Sequence, residues 1–184
     1  MSSLEILKDI ARRPLQEAQA LRPALTREVL DAHPHHDNSI AWLLWHSARE
    51  IDEQLAGLSG QEPVWTAQGF AGQFDLDLGD REMGFGHTGP EARQIRVSDP
   101  DLLVEHLRAV VEAQLSYLDS LDEADLEEVI DAHWDPPVTR AARLISISLD
   151  AVAHIAQAAY ITGMDPAAFE GPQAGESRAQ DPQA

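Results

Sequence analysis

Residues 144–164 read LISISLDAVAHIAQAAYITGM, an almost continuously apolar stretch that nevertheless carries Asp150, His154 and Gln157. At helical spacing Asp150 and His154 fall on one face, one turn apart, and Gln157 continues the same side. Ser146 and Arg143 extend the line backwards. The stretch therefore predicts a helix over 140–162 that is apolar except for one narrow polar line. Thr139 is available as its N-cap, and Gly163 followed by Pro166 supplies a stop.

Three readings of that line are open. It can face water, it can form a buried Asp–His hydrogen-bond network, or it can hold a divalent cation. The last needs at least one further ligand from another helix, and D-x-x-x-H alone is a weak signal. Among the eight His of the chain, His46 in LLWHSARE is the one inside a strongly helical apolar segment before the long connection. By angle it lies opposite Leu44, Ala48 and Ile51 and shares its side with Trp42, Arg49 and Glu53, as an exposed His would. Two neighbouring tryptophans, Trp42 and Trp45, point the other way, toward a helix that borders an internal cavity.

Working outward, three more helical patterns appear. Residues 3–30 carry Leu4, Leu7, Ile10 and Ala11 at helical spacing, with Pro14 and Pro23 expected to bend or break the helix. After the polar link AHPHHDNS, which offers Asp37, Asn38 or Ser39 as a cap, residues 39–58 show an apolar stripe of Leu44, Ala48, Ile51, Leu55 and Leu58. Its first half is apolar all round, which implies burial on several sides. The third pattern spans 100–121, capped by Asp99 and opened by Pro100. LDEADLEEVID reads as a short additional helix with a solvated acidic face, and WDPPV as an extended link.

Between the second and third patterns, residues 60–98 are rich in Gly, Pro and Asp and show no strand alternation. A connection of that length in a bundle lets consecutive helices run parallel. Four amphipathic helices without strands give an all-α fold, a four-helix bundle with a long crossover connection between the second and third helices. The domain is expected over 1–164. The Pro/Gly/polar segment 165–184 is expected to be a disordered tail.

The chain has 184 residues, 43% of them hydrophobic, and a net charge of −19. That sign disfavours nucleic acid and anionic membrane surfaces as partners. With no Cys, disulfides, a thiolate nucleophile and a Cys-ligated metal are excluded. The N-terminus MSSLEILKDIARR lacks the apolar core of a signal peptide, and no run approaches a membrane span of roughly 20 apolar residues. A cytoplasmic location is the expectation.

The segments NSIAWLLWHSARE (38–50), GFGHT (84–88) and WDPPVTRAARLISISLDAVAHIAQAAYITGM (134–164) together resemble the DinB-like four-helix metalloproteins. That superfamily includes mycothiol-dependent maleylpyruvate isomerase. More narrowly the chain resembles an uncharacterised actinobacterial-type branch, over roughly residues 5–164. The resemblance implies a metal site with one His from the second helix and two ligands on the last, which here are His46, Asp150 and His154. Asp150 departs from the His usual at that position, and Ala156 replaces the Gly before Gln157. It implies Zn, Ni or Fe as the divalent metal. It also implies a low-molecular-weight thiol such as mycothiol as cosubstrate, a small-molecule substrate, S-transferase or isomerase chemistry, and a homodimer. Trp42, Trp45, His87 and Gln157 are the expected pocket or supporting residues. The alternative is a non-catalytic, stress-related binding protein with a structural or vestigial metal site.

Overall fold

Four long helices each begin at a side-chain cap that satisfies an otherwise unpaired backbone N–H. In the computed structural model, which describes residues 1–165, 167 and 169, they are α1 (Ser3–Leu21), α3 (Ile40–Ser59), α7 (Pro100–Asp119) and α8 (Arg140–Thr162). Their caps are Ser2, Ser39, Asp99 and Thr139, accepting from Glu5, Trp42, Asp101 and Ala142 respectively. The single-turn helix α2 (Arg27–Leu30) lies between α1 and α3.

The four long helices pack in the cyclic order α1–α8–α3–α7. Ion pairs of Lys8 with Asp119 and Arg22 with Asp101 show that α1 and α7 are antiparallel. Tyr117 on α7 donates to the Leu58 carbonyl and His106 lies beside Asp52, so α3 and α7 run parallel, as a long crossover permits. His46 meets His154 while Gln54 meets Arg143, so α3 and α8 are antiparallel. Across the bundle centre, Gln114 donates to the Ser148 hydroxyl at 3.0 Å.

Three sequence expectations change. The first helix is not interrupted at Pro14; α1 runs through it and yields only at a 3-10 turn, Arg22–Ala24, that contains Pro23. Leu7, Ala11, Pro14, Ala18 and Leu21 are buried together, and that packing outweighs the hydrogen bond Pro14 removes. LDEADLEEVID does not form a helix beyond the 3-10 turn Asp125–Glu127. Instead β1 (Val129–Asp131) pairs antiparallel with β2 (Val138–Thr139), a two-stranded ribbon in a fold expected to lack strands. The extended bias of the WDPPV prolines delivers β2 to β1. Third, Arg49 and Glu53 do not face solvent.

The reason for the last lies in the crossover, whose α4 (Val64–Ala67) packs on α3 and α7 and α5 (Phe70–Phe74) on α7, while α6 (Gly89–Ala92) lies beside Asp37 in the link before α3. Arg49, fully buried, donates to Asp52 (3.0 Å), Glu53 (2.9 Å) and the carbonyls of Glu82 (2.9 Å) and Asp80 (2.7 Å), and stacks on Trp65. Asp52 in turn accepts from the first amides of α4, Val64 (2.7 Å) and Trp65 (2.8 Å). Trp65, Phe70 and Phe74 then enclose the buried His106 of α7, whose basicity burial lowers.

By length and composition α8 is apolar enough to cross a membrane. In this fold its Leu144, Ile147, Ala151, Ile155, Ala158 and Ile161 line the bundle core. The expected tail, 165–184, lies outside the described residues except at 165, 167 and 169.

Candidate metal centre

Antiparallel packing of α3 and α8 sets two i, i+4 pairs against each other. His46 and Glu50 project from α3, Asp150 and His154 from α8, with His opposite His and acid opposite acid. One ligand atom from each of the four lies within 4.8 Å of all the others. The His46 and His154 rings meet edge-on, centroids 4.7 Å apart. Two His and two carboxylates form a donor set suited to a divalent transition metal. Glu50 was not among the residues expected from the sequence. Its signal was present, since H-x-x-x-E at 46–50 mirrors D-x-x-x-H at 150–154 once the helices are antiparallel.

Both rings present the same nitrogen. A carbonyl oxygen can only accept, so His46 Nδ1–H donates to Met83 and His154 Nδ1–H to the Asp150 carbonyl at 2.9 Å. Each proton is thereby fixed on Nδ1, leaving Nε2 with a lone pair for a ligand. Burial lowers the basicity of His46, and the nearby His154 adds to this. Glu50 Oε1 accepts from Gln54 (2.9 Å), whereas Oε2 is buried without a hydrogen bond of regular geometry. A buried oxygen of this kind is one that a bound cation would satisfy, so the residues fit one.

Burial first, and then the Asp150 carboxyl it faces, push Glu50 up to about 9. Asp150 moves the opposite way, held low first by Glu50 and then by His154 and His46. The metal-free protein should consequently lose stability as pH rises from about 4.5 to about 9. Across that window the native state holds a proton that the unfolded chain has released, so the slope of unfolding free energy with pH is negative. Urea midpoints at about pH 5 and about pH 8 should separate more for wild type than for Glu50→Gln. Equal separations would show that Glu50 does not hold the proton.

Residues 82–87 wall the site. Glu82 Oε1 accepts from the amides of Met83 (3.0 Å) and Gly84 (2.8 Å), which fixes the Met83 carbonyl against His46. Gly84 has φ +90°, and a Cβ there would stand 3.0–3.1 Å from Trp45, His46 and Trp42. Gly84→Ala should therefore destabilise by about 1–3 kcal/mol and weaken cation binding, read by urea titration and calorimetry.

The expected pocket residues separate into those at the site and those elsewhere. Trp42 stacks on His46, centroids 4.6 Å apart, and lines the cleft. Trp45 is fully buried behind it and stacks with His87. His87 lies behind Trp42 with both its nitrogens engaged. Nδ1 accepts from Trp42 Nε1 (3.1 Å) and Nε2 faces Glu82 Oε1 (3.3 Å). Gln157 is exposed and borders a separate apolar cleft with Tyr160 and Leu43, rather than supporting the centre. The four-residue cluster opens on one side into a cleft of about 570 Å³.

Residues 11–157 match the family profile of the DinB superfamily. The chain belongs to the DinB superfamily. The crystal structure of a conserved protein from Enterococcus faecalis is similar to it at 36% identity and a TM-score of 0.80, covering 88% of this chain and 96% of that one. Among curated proteins none matches. The DinB fold accounts for the bundle and crossover, and the clustered His, Glu and Asp side chains give this member a candidate cation site.

Proposed function

We propose that this DinB protein is a metal-dependent enzyme that uses a low-molecular-weight thiol, such as mycothiol, in S-transfer or isomerisation of a small molecule. His46, Asp150 and His154 hold the cation, from the Zn, Ni or Fe group, as a two-His, one-carboxylate set. The observation that carries this reading is the meeting of two His and two carboxylates, one ligand atom from each within 4.8 Å of the others, at the mouth of an open cleft. A three-ligand site leaves coordination positions free. A bound divalent cation supplies Lewis acidity, which favours a thiolate over its thiol at neutral pH.

The chain's own residues do the rest. Glu50 gives up its own proton when a cation neutralises the cluster, and its Oε2 would then accept the proton that an entering thiol releases. Trp42 and the 82–87 wall exclude water from the same space and hold the His46 ring in place. Since the protein has no Cys, the nucleophile comes from the cosubstrate, which fits the reducing cytoplasm. Cobalt-loaded protein should develop a sulfur-to-metal charge-transfer band when a simple thiol is added. In Glu50→Gln the cation should remain bound, while the band should require higher pH. If thiols leave the spectrum of fully loaded protein untouched, the thiol reading fails.

A homodimer belongs to the same proposal. Ile145, Leu149 and Tyr160 stand exposed along α8 at helical spacing, an apolar line with no partner among the described residues. Leu149→Glu should shift the sedimentation coefficient to that of a monomer; a wild type already monomeric at micromolar concentration would rule the dimer out.

A further inference from the structure

The far end of the cleft is built around Arg143, two turns before Asp150 on α8 and on the same face. It is the only Lys or Arg among the residues lining the cleft. Arg143 Nη1 donates to Gln54 Oε1 (2.6 Å), and Gln54 Nε2 donates to Glu50 (2.9 Å). The neutral amide thus fixes the guanidinium in place without taking its charge. Asp131 forms a loose ion pair with it, 3.9 Å from Nη2 and beyond hydrogen-bond range, so the pair leaves the donors themselves unused. Among the described residues, Nε–H and the Nη2 edge make no hydrogen bond, and the side chain is 30% exposed.

The chain carries 13 Lys and Arg against 32 Asp and Glu, so a cation whose donors are left open in the cleft is not explained by surface charge balance. With a divalent cation balancing Glu50 and Asp150, Arg143 becomes the charge that a ligand in the cleft would meet. One planar fork with its Nε/Nη2 edge free of hydrogen bonds matches one planar monoanion. We propose that Arg143 anchors a carboxylate of the substrate or thiol cosubstrate, making the cleft selective for acids over neutral molecules of the same size. Gln54 lies one turn beyond Glu50, a rise of roughly 6 Å. A carboxylate held there is separated by about three or four bonded atoms from an atom at the four-residue cluster. Arg143 is thus a specificity-determining residue whose effect depends on the ligand's charge.

This inference rests on the metal-centre reading for the near end of the ligand. Cobalt-loaded wild type, Arg143→Gln and Arg143→Lys are titrated with 3-mercaptopropionate and with 2-mercaptoethanol, following the visible spectrum. Arg143→Gln should weaken the acid about 10-fold or more and leave the neutral thiol within about 2-fold, with Arg143→Lys intermediate. Equal effects on both thiols, or on neither, overturn the proposal. If Arg143→Gln does not fold, Arg143→Lys carries the same comparison. If the protein takes up no cobalt, the metal reading fails separately, and propionate is titrated into metal-free protein by NMR. A saturable shift of the Arg143 Nε–H signal then supports the anchor, and its absence overturns it.

Discussion

His154→Ala and His46→Ala should each lower divalent-cation affinity by roughly 100-fold or more. Loss of a group that merely supports a ligand costs about 10- to 100-fold, and these rings offer the lone pairs themselves. In both, Nδ1–H is spent on a carbonyl, which leaves the Nε2 lone pair for the ion. Removing either leaves two carboxylates with one imidazole, a harder and less complete donor set. Competition against a chromophoric chelator measures the change on tag-free protein. His36→Ala, in the polar link at 33–37, is the control and should bind like wild type. Cation uptake by wild type that His154→Ala does not reduce would place the bound ion elsewhere. Affinity in wild type should also rise with pH, because the proton that Glu50 holds up to about 9 must leave before the cluster carries full negative charge.

Arg49→Met should be the most destabilising single change, about 3–5 kcal/mol in urea unfolding. The substitution preserves bulk but leaves the buried Asp52 without its cation and the buried Glu53 with only the exposed Arg81. It also frees the Asp80 and Glu82 carbonyls that tie the crossover to α3. Arg49→Lys should recover little, since one ammonium cannot reach four acceptors in different directions. The loss should extend to the site, because Glu82 positions Met83 and Met83 positions His46. A change below about 1 kcal/mol would mean that the crossover is held by its apolar contacts alone.

Much of this was legible along the chain. The four long helices, the caps Asp99 and Thr139, Ser39 among three candidates, and the parallel run of α3 and α7 followed from period, cap residues and connection length. Pro14 misled because its effect on one hydrogen bond is local while the burial of α1 is not. The β1–β2 ribbon was hidden in an acidic segment, since strand pairing depends on a partner several residues away. His46 was on the expected element, but angle alone placed it toward solvent. The missing fact was that residues 79–88 cover that side, held there by Arg49.

What the sequence determined by itself is periodic and local. Asp150 and His154 share a face of α8, as do His46 and Glu50 on α3, whatever surrounds them. Tertiary structure alone decided that the two faces meet antiparallel, His to His and acid to acid, and that Glu50 is the fourth member. The physical reason is that a face is set by backbone geometry within one turn, whereas its environment is set by segments joined only through the completed core. Burial then separated the two acids, pushing Glu50 up and leaving Asp150 ionised, which no reading of D-x-x-x-H or H-x-x-x-E alone could supply.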